Sequence, residues 1–329
     1  MNAVSDEIRF AQSLGSNQVK VREKAVKSLG KYFKRVSTSK DSMSEENMMK
    51  LWKGIFYYFW NCDKPLFQEE RADILSKYIH VFQSEDCAFL YLDTFLQTMA
   101  REWFTIDRYR LEKFMMLVRK FLSESFVFLK NKKWDVELIK QFKKVMKKTV
   151  INTAPESAPL GLKIHVAEIY TEELAKVGAD ELSPETVKTF LVPFCNILCN
   201  SEEPSLVKTI AKEVFIYFIN QDAETDEFEE FPILKFDVDV IQNLLMKYAN
   251  KPDLKRKNMK VIYDVVKQFE DYKNGISQED RLFADQGPAR KLRKRAIEKA
   301  ALALVEEEMA EKAEKSVKKR KKIQNVIDL

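Results

Sequence analysis

The chain has 329 residues, 45 % of them hydrophobic and 33 % charged, so it can bury a large core and wholesale disorder is excluded. Only 7 glycines and two histidines are present, so glycine-rich phosphate loops and most metal-hydrolase or triad chemistry start with almost no material. The net charge of +5 sits at the C-terminal end, where residues 289–329 hold 13 basic and 7 acidic residues; the rest is near neutral, and its composition alone does not make it a nucleic-acid binder.

In chain order the pattern is helical almost throughout. Val21, Ala25, Leu29, Phe33 and Val36 recur every three or four residues and predict a helix pair over 4–36, broken at Gly15. Ser44 ahead of Glu45 and Glu46 opens the next pair, 44–82. Met48, Leu51, Ile55, Tyr58 and Phe59 form its apolar stripe, and Asp63 and Pro65 start its second helix. The pair 86–131 turns at Asp107 and carries Phe114, Leu117, Val118, Phe121 and Leu122. A pair over 134–178 stops at Gly178, Ser183-Pro184 opens 183–220 with a further start at Ser201 through Pro204, and 239–274 completes the series. Six pairs of roughly 40 residues predict an all-α, HEAT-like helical-repeat solenoid of about a dozen helices. One weak internal echo, 56–63 against 215–222, reads equally well as two aromatic helix ends.

The expected organisation is a helical-repeat domain over 1–274, interrupted by an acidic loop at 221–238, then a linker over 275–289 and a basic tail over 290–329. The tail is rich in Ala, Glu, Lys and Arg and reads as a long exposed helix or a partly disordered segment. Four cysteines and the absence of an export signal at the start point to a reducing compartment. No run approaches ~20 apolar residues, so no membrane contact is expected.

The search for chemistry finds little. No GxxxxGK[ST] or GxGxxG occurs. Cys62, Cys87, Cys195 and Cys199 have no metal-ligand spacing and read as core thiols, and His80 and His165 lie in apolar stretches that suit packed, hydrogen-bonded imidazoles. No cofactor, metal, catalytic residue or small-molecule substrate is expected. Basic faces are the better signal. Lys140, Lys143, Lys144, Lys147 and Lys148 fall on one side of a helix, and Lys20, Lys24, Lys27, Lys31 and Lys34 follow a similar rule. Such a stripe repels itself and gains from phosphates or an acidic partner; it is equally a solvated helix face. Arg101 and Arg108 are further candidates for RNA or partner contact, or for pairing with nearby carboxylates. Arg290, Lys291, Arg293, Lys294 and Arg295, with Lys318, Lys319, Arg320, Lys321 and Lys322, form two clusters that read as nuclear-localisation signals for an import receptor.

Two stretches carry a resemblance. Lys50 to Glu70 reads KLWKGIFYYFWNCDKPLFQEE, and Arg101 to Leu122 reads REWFTIDRYRLEKFMMLVRKFL. Trp52, Lys53, Gly54 and Trp60, then Asp63, Lys64 and Pro65, and downstream Trp103 and Asp107, resemble the signature of the ribosomal RNA-processing protein 1 family. The resemblance covers roughly 5–220 and loosens through 221–288; the tail is short beside the family's long extensions. It implies a nucleolar, non-enzymatic factor of large-subunit assembly, needed for precursor rRNA processing. It also implies precursor RNA and other assembly factors in pre-ribosomal particles as partners. The residues by themselves reach only a helical, non-catalytic scaffold with a basic nuclear tail. They leave open a nuclear transport or adaptor solenoid that binds proteins and not RNA. They also leave open whether the aromatic segment 52–60 is core or a docking patch.

Overall fold

The computed structural model describes residues 6–38, 43–179, 181–221, 232–252 and 254–276. These form helices and connecting turns, with no strand among them. The helices are α1 (Asp6–Leu14), α2 (Val19–Val36), α3 (Glu45–Trp60), α4 (Pro65–Lys77), α5 (Glu85–Glu102), α6 (Arg108–Asn131), α7 (Val136–Lys148), α8 (Leu160–Gly178), α9 (Pro184–Asn200), α10 (Pro204–Thr209), α11 (Tyr217–Asn220), α12 (Val238–Ala249) and α13 (Arg256–Lys273). A π-helical segment, Ile210–Ile216, joins α10 to α11 without a break. No helix among the described residues is long and apolar enough to cross a membrane.

The helices fall into the six expected pairs, and the pairs stack in two layers. The first helices pack in succession, α1 on α3, α3 on α5, α5 on α7, α7 on α9 and α9 on α12. The second helices do the same, α4 on α6, α6 on α8, and α8 on α10 and the π segment. Most helices thus meet their counterparts in the neighbouring pair, the arrangement that lets divergent repeats share one continuous core. All of this packing lies within one unit, 1–270.

Local chemistry sets the boundaries. The Ser44 side chain accepts from the Asn47 N–H, Asp107 from Tyr109 and Arg110, Asp135 from Glu137 and Leu138, and Ser183 from Thr186. Proline occupies the first turn of α4, α9 and α10, where its missing N–H costs nothing. Asp63 does not cap: the N-cap of α4 is Lys64, which makes no side-chain cap bond, and Asp63 lies one residue too early. Gly15 and Gly178 follow or end helices as expected but without a left-handed residue; among the described glycines only Gly275, after α13, has a positive φ, 71°. The internal echo is not a repeat equivalence, because Phe56–Trp60 ends a first-layer helix and Phe215–Asn220 ends a second-layer one.

The aromatic segment of α3 is core. Trp52 donates its indole N–H to the Tyr91 carbonyl at 3.2 Å and packs on the rings of Tyr91, Phe95 and Phe121. Phe95 stacks on Phe121 at 3.8 Å, tying α5 to α6. Ile55, Phe56, Tyr58 and Phe59 are also buried; Trp60 is half-buried, and of the segment's aromatic rings only Tyr57 is exposed. On α2 the buried arc includes Val26 and Tyr32, and Val21 falls on its exposed edge. At the acidic loop, the Gln221 amide accepts from the Leu234 N–H and donates to the Leu234 carbonyl, both at 3.0 Å, which clasps the two ends. The loop's acidic residues, the linker beyond 276 and the tail lie outside the described residues.

Candidate nucleic-acid interface

The lysine stripe is built by α7. Asp135 caps the helix, and Ile139, Phe142 and Met146 bury its inner face, which forces the intervening lysines outward. All five line one groove of about 810 Å³ between α7 and α5. Its other wall is Asp86, Phe89, Leu90 and Asp93, one face of α5 at helical spacing.

The five ammonium groups are brought together but are not equivalent. Lys148 lies 2.6 Å from Asp93 and 3.1 Å from Glu45. Burial lowers its pKa, but the two carboxylates outweigh that and hold it above the ordinary lysine value. Glu45 in turn is held below the usual carboxylate range by bonds from Gln97 and Lys148. Lys143 is half-buried and donates to the Thr189 carbonyl of α9 at 3.2 Å. Burial, then the charges of Lys147 and Lys140, push its pKa down. Lys140 pairs with Glu137 at 2.7 Å in the open, where such pairs contribute little. Lys144 and Lys147 are exposed and have no ion-pair partner among the described residues. On α2, Lys20, Lys24, Lys27, Lys31 and Lys34 are all exposed, and none has an ion-pair partner among the described residues.

The two arginines lie elsewhere, at the turn between α5 and α6. Arg101 pairs with Glu102 at 2.8 Å. Arg108 donates to the Tyr109 hydroxyl at 2.7 Å, with its guanidinium 4.7 Å from that ring. The basic clusters at 290–295 and 318–322 lie outside the described residues.

The quoted signature residues mostly hold the architecture. Trp52 anchors the core, Gly54 lets α1 approach α3, Pro65 starts α4 and Asp107 caps α6 while pairing with Arg110. The Trp60 ring lies under Arg110 at 4.8 Å, and its carbonyl accepts from the buried ammonium of Lys113 at 2.8 Å. Trp103 sits half-buried against Gly161. Lys53, Asp63 and Lys64 are exposed.

The sequence reading missed the acidic wall of the groove. Asp86, Phe89, Leu90 and Asp93 fall at i, i+3, i+4 and i+7, so their common face was readable; that α5 meets α7 there was not. The four cysteines and two histidines are engaged in packing or hydrogen bonds. The four cysteines are buried free thiols, and burial pushes Cys62 up to about 11 and raises Cys195 and Cys199. His165 bonds to the Met115 carbonyl at 2.9 Å and His80 to Glu124 at 2.7 Å. Among the described residues no cluster of potential metal ligands occurs.

A family model described as "Nucleolar protein, Nop52" matches residues 5–326. The chain belongs to the Nop52 family. The match runs past 220 into the tail, further than the quoted motifs alone carry the resemblance. Among curated relatives of this Nop52 chain, ribosomal RNA processing protein 1 homolog B of Mus musculus is 40 % identical over 221 residues, covering 67 % of this chain and 30 % of that protein. Homolog A of Homo sapiens is 30 % identical over 336 residues, covering 84 % of this chain and 73 % of that protein. A Caenorhabditis elegans ribosomal RNA processing protein 1 homolog is 30 % identical over 335 residues, covering 97 % and 83 %. The chain therefore spans less than a third of the homolog B proteins of mouse and human, at 30 % and 28 % of their length.

Proposed function

We propose that this chain is a non-enzymatic nucleolar factor of large-ribosomal-subunit assembly, needed for precursor rRNA processing. In this reading it acts as a helical scaffold within pre-ribosomal particles. Its partners are precursor rRNA and other assembly factors, and an import receptor reads its basic tail. The whole-chain match to a nucleolar family, with relatives named for ribosomal RNA processing, carries the reading. The groove between α5 and α7 supplies a physical contact: Lys140, Lys144 and Lys147 project into water, and phosphate would relieve their mutual repulsion.

The test replaces Lys140, Lys144 and Lys147 with Glu and spares Lys143 and Lys148, whose ammonium groups serve the fold. The triple variant should melt within a degree or two of the parent. In gradients of nuclear extract it should leave large-subunit precursors at lower salt. Three lost contacts to single-stranded RNA should flatten the slope of log K against log salt by about 2. Unchanged salt dependence would make the stripe a helix face in water, and a parent that never crosslinks to RNA would favour a protein-binding solenoid.

A further inference from the structure

The connection between α5 and α6 exposes two aromatic rings, Phe104 and Tyr109, with a cation over the second, and none of the three lines the lysine groove. Phe104 is 84 % exposed and Tyr109 80 % exposed. The rings are displayed on an anchored turn. Trp103, just before Phe104, and Ile106 pack on the core, and Asp107 fixes the start of α6 by accepting from Tyr109 N–H at 3.0 Å and Arg110 N–H at 3.1 Å. A single exposed apolar side chain is ordinary, but two aromatics left this open on one short connection forgo the burial that a partner covering them would supply.

Arg108 indicates the chemistry of that partner. Its guanidinium lies over the Tyr109 ring and bonds to its hydroxyl, so one stacked pair is already assembled. Arg101 and Arg110, on either side, are both satisfied by carboxylates, Glu102 and Asp107. Arg108 has no carboxylate partner among the described residues, so an uncompensated charge stands beside the Tyr109 ring, four residues along the chain from Phe104. A nucleotide combines a planar base with an adjacent phosphate, and this turn offers a surface for each. A purely apolar protein segment would cover the rings and leave Arg108 unanswered.

We propose that this turn is a stacking platform for an unpaired base of single-stranded RNA, with Phe104 or Tyr109 under the base and Arg108 on the neighbouring phosphate. The proposal rests on the RNA reading above and adds a site and a ligand form to it. A duplex is a poor ligand here, because paired bases bury the faces the rings need.

The experiment uses the full chain carrying Phe104→Ala and Tyr109→Ala, with the Lys140, Lys144 and Lys147 triple variant alongside. Affinities for a short single-stranded RNA and for a hairpin duplex are measured between about 50 and 200 mM salt. The aromatic variant should keep the parent's melting temperature and lose about tenfold or more in single-strand affinity, with the salt slope and duplex affinity unchanged. Arg108→Gln alone should flatten the single-strand slope by about 0.7. Single-strand affinity that survives the aromatic changes but falls in the lysine variant would overturn the platform and leave the RNA reading standing. A parent that binds neither RNA would overturn both. Loss of particle association with single-strand affinity intact would overturn the platform in favour of a protein-docking surface.

Discussion

Lys113 reaches into the core and forms no ion pair among the described residues. Its ammonium donates to the carbonyls of Trp60 at 2.8 Å and Cys62 at 2.7 Å, and so closes the C-terminal end of α3, where the helix dipole is negative. Burial lowers its pKa, but those carbonyls leave the protonated form its role. His165 is the opposite case, an imidazole buried neutral. Burial, seconded by the charge of Arg119, pushes its pKa below 6.5, against the bond to the Met115 carbonyl. The unfolded chain therefore takes up a proton near pH 6.5 that the folded chain refuses. Stability from this group is complete above that pH and is lost as the pH falls below it, down to the folded-state pKa. His165→Gln should cost ~1–3 kcal/mol near pH 8 through imperfect buried pairing. It should also make the acid loss of melting temperature between about pH 6.5 and 5 shallower than in the parent. Parallel melting curves for the two proteins across that interval would show that His165 does not titrate in this way.

At the scale of elements, the approach of α1 to α3 depends on one missing methyl. A Cβ at Gly54 would stand 2.6 Å from the Ala11 Cα and 3.0 Å from its carbonyl oxygen, and backbone cannot yield as a side-chain tip can. Alanine gains ~1 kcal/mol of helix propensity over glycine, while overpacking a close helix contact costs ~1–3 kcal/mol. Gly54→Ala should therefore be destabilising on balance, with faster amide exchange confined to α1; a raised melting temperature with α1 still protected would contradict that. What the sequence disclosed follows the same division between local and distant. Helix starts at Ser44, Asp107 and Ser183 and the six pairs were legible, because caps and apolar periodicity are properties of neighbouring residues. Asp63 misled because cap geometry depends on a single residue of register. Gly54 read as a signature residue whose reason, the Ala11 backbone, is 43 residues away. The lysine stripe was legible as spacing, but its division into engaged and free ammonium groups depends on Asp93, Glu45 and Thr189, which only tertiary packing brings to α7.

For the molecule as a whole, charge and core are carried by different parts of the chain. The buried apolar residues described here end at Phe269, within the unit 1–270, while the excess positive charge begins at Arg290. Stability by burial scales with apolar area, at ~25 cal/mol per Å², and the ten cations of the two tail clusters bring none of the side chains that make up that core. Their long-range repulsion is screened beyond ~8 Å at physiological salt. Neutralising Arg290, Lys291, Arg293, Lys294 and Arg295 together with Lys318, Lys319, Arg320, Lys321 and Lys322 to Gln should leave the melting temperature unchanged. If an acidic receptor groove reads these clusters, the same protein tagged for microscopy should stay in the cytoplasm. Restoring 318–322 alone should return it to the nucleus, because five adjacent cations suffice for a receptor of this kind. Nucleolar accumulation of the fully neutralised protein would place the address elsewhere in the chain, and the exposed lysines of α2 would be the next cations to change.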